Sequence, residues 1–218
     1  MDLSTRPRLI ARLNDAGQPL TAPLIREIVL MGLTPRLRSG RDEAALMRAN
    51  DLLALQPSLH QVVLTCVSDV IAVEASSPDT DVGHSEPRWP TLLLTSFPLP
   101  SPVGDLRLLE SIVHEAMHLN LSNFERVFPL TFGEGVSFSP WRSELRPMSG
   151  VLHGAYVFTC IRAFFRKCLR HGSNPLVRDY IEARLATISV ELASIQWDEL
   201  DEALSLAGRA VTELIRPC

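Results

Sequence analysis

Apolar residues near the start of the chain recur three and four apart, at Leu9, Ile10 and Leu13 and again at Leu24, Ile25, Ile28 and Val29, which is the spacing of one helical face. Gly17, Pro19, Pro23, Gly32 and Pro35 cut this stretch into short pieces. A third piece, from Asp42 to Leu55, sets Ala45, Leu46, Ala49, Leu52 and Leu53 on one side and stops at Pro57. Residues 1–58 therefore predict a helical N-terminal shell. Downstream, the runs His60 to Val67 and Val70 to Val73 are dense in β-branched residues and predict strands, although a buried helix carries the same letters. Residues 76–90 are rich in Ser, Pro, Asp and Gly and predict a loop, and Thr91 to Thr95 then predicts a short buried strand.

Pro98, Pro100 and Pro102 separate that strand from a helix expected between about Val103 and Asn120, with Leu106, Leu109, Ile112, Val113 and Met117 as its apolar side. Residues 123–147 contain Pro129, Gly133, Gly135 and Pro140 and predict an irregular segment that ends, over 140–147, in a turn and helix entry. A long helix follows from about Met148 to Arg170, closed by His171-Gly172, where glycine suits a C-terminal cap. A last helical region covers 175–215. The order of elements predicts an α+β chain that is mostly α. It is expected to fold as a single domain, 1–218, with a core over 60–170 and C-terminal helices over 175–218.

Composition narrows the picture. A chain of 218 residues, 46% of them apolar, can bury a sizeable core. Its charge is −4, from 21 basic and 25 acidic side chains, and it has no basic cluster or repeated stacking aromatic, so a nucleic-acid partner is not expected. The first residues are polar and no run approaches the roughly 18 unbroken apolar residues of a membrane span, which predicts a cytoplasmic protein without a membrane partner. Cys66, Cys160, Cys168 and Cys218 lack CxxC spacing and read as buried or idle thiols of a reducing compartment.

Candidate chemistry centres on Val113-His114-Glu115-Ala116-Met117-His118. A helix turns 100° per residue, so positions four apart differ by only about 40° and two imidazoles there can share one small cation. His114 and His118 are thus candidate ligands of a divalent metal. In the hydrolytic use of HExxH the glutamate, here Glu115, takes a proton from metal-bound water. The run Leu119-Asn120-Leu121-Ser122-Asn123 lacks the glycine and third histidine of HExxHxxGxxH, which sets the metzincins aside. A third ligand must then come from His153, Glu144, Glu134 or Glu125, and a glutamate would complete a two-histidine, one-carboxylate zinc site. Glu144, two residues from both Arg142 and Arg146, equally suits a solvated local ion pair. His153 lies between Gly150 and Gly154, whose small size would let a metal centre approach, with a packed core histidine as the alternative.

Leu109 to His118, together with Ser139-Pro140-Trp141-Arg142, Arg146-Pro147 and Gly150-Val151-Leu152-His153-Gly154, resembles the HExxH-motif peptide-modification proteins. These are described as α-ketoglutarate-dependent HExxH-type peptide β-hydroxylases. The resemblance runs from about Leu92 to Phe165. It implies a zincin-like core holding Fe(II), 2-oxoglutarate as co-substrate with O2, and a ribosomally made precursor peptide as substrate. His114, His118 and His153 are then the implied iron ligands, and Glu115 passes from catalytic base to a residue that orients an iron-bound water or a histidine. Because 2-oxoglutarate is a dianion, its distal carboxylate calls for a cation, and Arg142 and Arg146 have the two-pronged guanidinium that grips one.

Two other readings stand beside this one. The first is a zinc peptidase with Glu115 as general base. The second is a relative without catalysis that binds a partner through a retained groove, with Met31, Leu33 and Leu37 as an interaction patch against the simpler explanation of core packing.

Overall fold

In the computed structural model, residues 22–75, 83–86, 91–95, 97, 100–133, 135–171 and 174–216 are described. Helix predominates, with a few short strands. The chain forms two compact units, Met1–Leu119 and Asn120–Cys218.

The first unit runs α1 (Ala22–Leu30), β1 (Leu33–Arg36), α2 (Gly40–Leu53), α3 (Pro57–Cys66), β2 (Asp69–Ala75), β3 (Gly83–Glu86), β4 (Thr91–Leu94) and into α4 (Pro102–Glu125). Four strands form one sheet in the order β1-β2-β4-β3, with β2 and β4 parallel and the outer pairs antiparallel. Strand β4 sits inside the sheet and all four of its residues are buried, which explains why Leu92-Leu93-Leu94 carries no polar alternation. Leu24 and Ile28 of α1 close over Leu33, Ile71, Val73 and Leu93. Pro35 is tolerated in β1 because this strand is at the sheet edge.

Several expectations need correction. His60 to Val67 is not a strand: Pro57 to Cys66 is helix α3. Proline opens it, and His60, Val63, Leu64 and Val67 are buried at three- and four-residue spacing, so the helical period prevails over β-branching. Nε2 of His60 is 3.0 Å from Oδ1 of Asn50 on α2. The stretch expected as a loop over 76–90 contains β3, and β1 interrupts the expected helical shell. Met31, Leu33 and Leu37 form no common patch, since Leu33 belongs to the core while Leu37 stands 94% exposed. The helical pattern at Leu9, Ile10 and Leu13 lies outside the described residues, as does the cap at Gly172.

The second unit begins with the end of α4 and continues through β5 (Val136–Ser139), β6 (Glu144–Pro147), α5 (Met148–His171), α6 (Pro175–Ala193), α7 (Trp197–Ala203) and α8 (Leu206–Ile215). Helix α5 is its central element, packing on β5, β6, α6, α7 and α8. Its inner side is Val151, Leu152, Ala155, Ile161, Phe164 and Phe165. Among the described residues, α5 alone is long and apolar enough to cross a membrane, and half of that stretch is buried within the fold.

The segment 123–147 is more regular than expected. Strands β5 and β6 form an antiparallel hairpin pairing Phe138 with Leu145 and Ser137 with Arg146. The expected helix entry over 140–147 is corrected accordingly: 140–143 is the turn, Glu144–Pro147 is strand, and α5 enters at Met148. In the turn, the carbonyl of Ser139 accepts from the amides of Arg142 and Ser143, and Ser143 has a left-handed φ of 54°.

Candidate metal centre

Helix α4 begins where Ser101 Oγ accepts from the Gly104 amide at 2.9 Å and Pro102 opens the first turn. Asp105 in that turn complements the helix dipole and is gripped by Nε of Arg48, 2.9 Å from each carboxylate oxygen. Leu106, Leu109, Ile112, Val113, Ala116 and Met117 are buried. Their packing fixes the helix about its axis and hence the direction of the histidines.

His114 and His118 emerge on the partly exposed side, one turn apart. Their ring centroids are 4.8 Å from each other with the planes inclined at 66°. Glu115 is only 6% exposed, and its Oε1 is 3.9 Å from Nε2 of His114. The local arrangement therefore offers two imidazoles within reach of one small cation and a buried carboxyl beside them, as helical spacing requires.

The other candidate residues belong to the second unit. Glu125 is seven residues beyond His118 on the same helix, turned by only about 20° and displaced by about 10 Å along the axis. Nε2 of His153 is 2.9 Å from Oε2 of Glu125. His153 is the more enclosed partner, its side chain 14% exposed against 30% for Glu125. Close by, Asn120 Nδ2 donates to the Tyr156 hydroxyl at 2.7 Å, a second tie between the end of α4 and α5. Glu144 forms the local ion pair its spacing suggested, with Arg146 Nη1 at 3.1 Å. Arg142 is exposed in the hairpin turn. Glu134 lies outside the described residues.

Two roles were not visible beforehand. Glu125, a candidate third ligand by residue type, is the hydrogen-bond partner of His153. Trp141 packs so closely on Gly154 that a Cβ added there would overlap Cζ2 and Cε2 of the indole. Trp141 also meets Phe158, with ring centroids 5.2 Å apart and planes inclined at 44°. The glycine next to His153 thus serves the close approach of a tryptophan ring, and the tryptophan anchors the turn that carries Arg142.

Among the described residues, no three His, Cys, Asp or Glu side chains stand together as a ready metal set. Compared with known proteins, the chain matches no family model and no curated protein.

Proposed function

We propose that this chain is an Fe(II)- and 2-oxoglutarate-dependent oxygenase with a zincin-like core that hydroxylates a β-carbon of a peptide, a ribosomally made precursor by resemblance, in the cytoplasm. The observation that carries the proposal is the His114–His118 pair, two ligand-type rings 4.8 Å apart on one helical face within an ordered set of motifs that resembles the peptide β-hydroxylases. Imidazole is a suitable ligand for a borderline cation, and α4 brings two of them together. When bound, iron together with 2-oxoglutarate supplies O2 activation toward a C–H bond.

The chain's residues then divide as follows. His114 and His118 hold the metal, and the resemblance supplies His153 as third ligand. Arg142 and Arg146 are the candidate guanidiniums for the distal carboxylate of 2-oxoglutarate, and Arg146 also pairs with Glu144. Glu115, buried beside His114, orients that ring rather than activating a hydrolytic water. The test needs no identified peptide: anaerobic Fe(II)-loaded protein is titrated with 2-oxoglutarate and followed by the absorption that accompanies chelation. No absorption change, or the same change in His114→Ala, refutes the proposal. With a cognate peptide, succinate and a mass gain of one oxygen must appear together.

A zinc peptidase is the second reading, favoured by the proximity of the Glu115 carboxylate to His114. Glu115→Gln separates the two, because a peptidase loses essentially all cleavage with its base, whereas the oxygenase keeps metal binding and part of its turnover.

A further inference from the structure

Helix α5 is one-sided in charge as well as in burial. In 24 residues it contains three arginines, one lysine and no Asp or Glu, within a chain whose net charge is −4. Arg162, Arg166, Lys167 and Arg170 do not read as a cluster along the sequence, but the helix gathers them. Positions four apart turn by only about 40° and rise by about 6 Å, so Arg162, Arg166 and Arg170 form a stripe about 12 Å long. Ile161, Phe164 and Phe165 are buried on the opposite side, while Arg166, Lys167 and Arg170 are exposed.

Like charges four apart on a helix repel, and burial together with the charge of Arg166 pushes the Arg162 guanidinium down. Elsewhere the chain answers such charge with carboxylates: Arg36, Arg48, Arg146, Arg178 and Arg216 each pair with an Asp or Glu. Among the described residues, none of the four cations on α5 forms an ion pair. The stripe therefore keeps a repulsion that a bound anion would relieve.

We infer that this face of α5 binds a short acidic segment of a peptide or protein partner, with carboxylates at alternate residues of an extended backbone. Alternate side chains of an extended chain lie about 6.6 Å apart on one side, close to the rise between successive arginines. Guanidinium grips each carboxylate with two parallel hydrogen bonds. Other polyanions fit less well. Four cations fall short of the roughly 6–10 phosphate contacts that carry strong DNA binding, and their neighbours on the same face, Thr159 and Ala163, offer no ring on which a base could stack. Nor do those neighbours supply the large apolar side chains that sink an amphipathic helix into a membrane surface. The inference concerns α5 alone and stands apart from the metal reading.

The test is fluorescence anisotropy of a labelled peptide of alternating Glu and Ser, titrated with the full chain at low ionic strength. Binding is expected, weakening as salt rises to about 0.15 M. Arg166→Gln and Arg170→Gln should each weaken it by about 2–5-fold, and the double charge reversal Arg166→Glu with Arg170→Glu by more than about tenfold. Arg178→Gln, on α6, should leave it unchanged. The neutral variants relieve repulsion and are expected to unfold at no lower urea concentration than the wild type, so their loss of binding reports the face and not a failed fold. No binding of the peptide at low ionic strength, or equal binding by the wild type and the charge-reversed protein, overturns the inference. Tighter binding of single-stranded DNA or of phosphatidylserine vesicles to the same arginines overturns it too, since the occupant is then a different anion.

Discussion

Replacing Gly154 by alanine sets two effects of opposite sign against each other. In the interior of α5, exchanging glycine for alanine should stabilise by about 0.5–1 kcal/mol, since glycine loses more backbone entropy on folding. The new methyl carbon, however, would stand 2.0, 2.2 and 2.6 Å from three atoms of the Trp141 indole, distances that no side chain tolerates without moving. Forcing extra volume into a packed contact typically costs about 1–3 kcal/mol, and loss of the tilted ring contact with Phe158 adds about 0.5–1.5 kcal/mol. The clash outweighs the helix term, and Gly154→Ala is expected to destabilise by about 1–3 kcal/mol. The decisive experiment is a double-mutant cycle followed by urea denaturation. In a Trp141→Ala background the obstruction is gone, so adding Gly154→Ala should reverse sign and stabilise by up to about 1 kcal/mol. If Gly154→Ala destabilises equally in both backgrounds, or stabilises the wild type, the indole does not lie on this glycine and the anchoring of the Arg142 turn fails with it.

Two further outcomes follow from backbone and charge. Ser143 holds a φ of 54°, a conformation that costs an L-residue roughly 1–2 kcal/mol and glycine little. Ser143→Gly should therefore stabilise by about 0.5–1 kcal/mol after the entropy of glycine is deducted, and a drop in the unfolding midpoint would contradict the described turn. Burial pushes the carboxyl of Asp42 up, but hydrogen bonds from Arg36 and from the amide and hydroxyl of Ser39 outweigh it and hold it below the usual aspartate value. A depressed folded value contributes stability above the unfolded pKa near 3.9 and loses it as pH falls through the folded value. Acid titration of unfolding should show this loss below about pH 4 in the wild type and its absence in Asp42→Asn, which at neutral pH costs about 1 kcal/mol through the weakened capping box.

What could be read along the chain was whatever depends on neighbours in sequence. The His114–His118 pair is local, since helical spacing alone brings the rings together. The same holds for Glu144 with Arg146, and for the buried strand Thr91–Leu94 with its unbroken apolar run. Elements decided by the rest of the fold were misread. Pro57 to Cys66 has strand-like letters but follows the helical period of its burial. Strand β3, Gly83-His84-Ser85-Glu86, has no strand character of its own and owes its state to antiparallel pairing with β4. The hairpin over 136–147 escaped notice because its turn is neither a two-residue loop nor built on glycine, and its positive φ falls on a serine.

The extent of α4 shows why the third position was the least legible part of the candidate site. The expected helix ends near Asn120, which leaves Glu125 in the irregular segment that follows. Leu121, only 3% exposed, instead continues the apolar face, and the helix persists to Glu125. Those extra turns place Glu125 on the histidine stripe, because seven residues bring a helix back to within about 20° of its starting direction. Its partner His153 is 28 positions away in sequence, across the hairpin and into α5. Their pairing depends on the end of α4 meeting α5, which the Asn120–Tyr156 hydrogen bond also records. Residue type could nominate four third-ligand candidates but not rank them. Three-dimensional pairing adds what spacing could not: Glu144 pairs with Arg146, and Glu125 with His153.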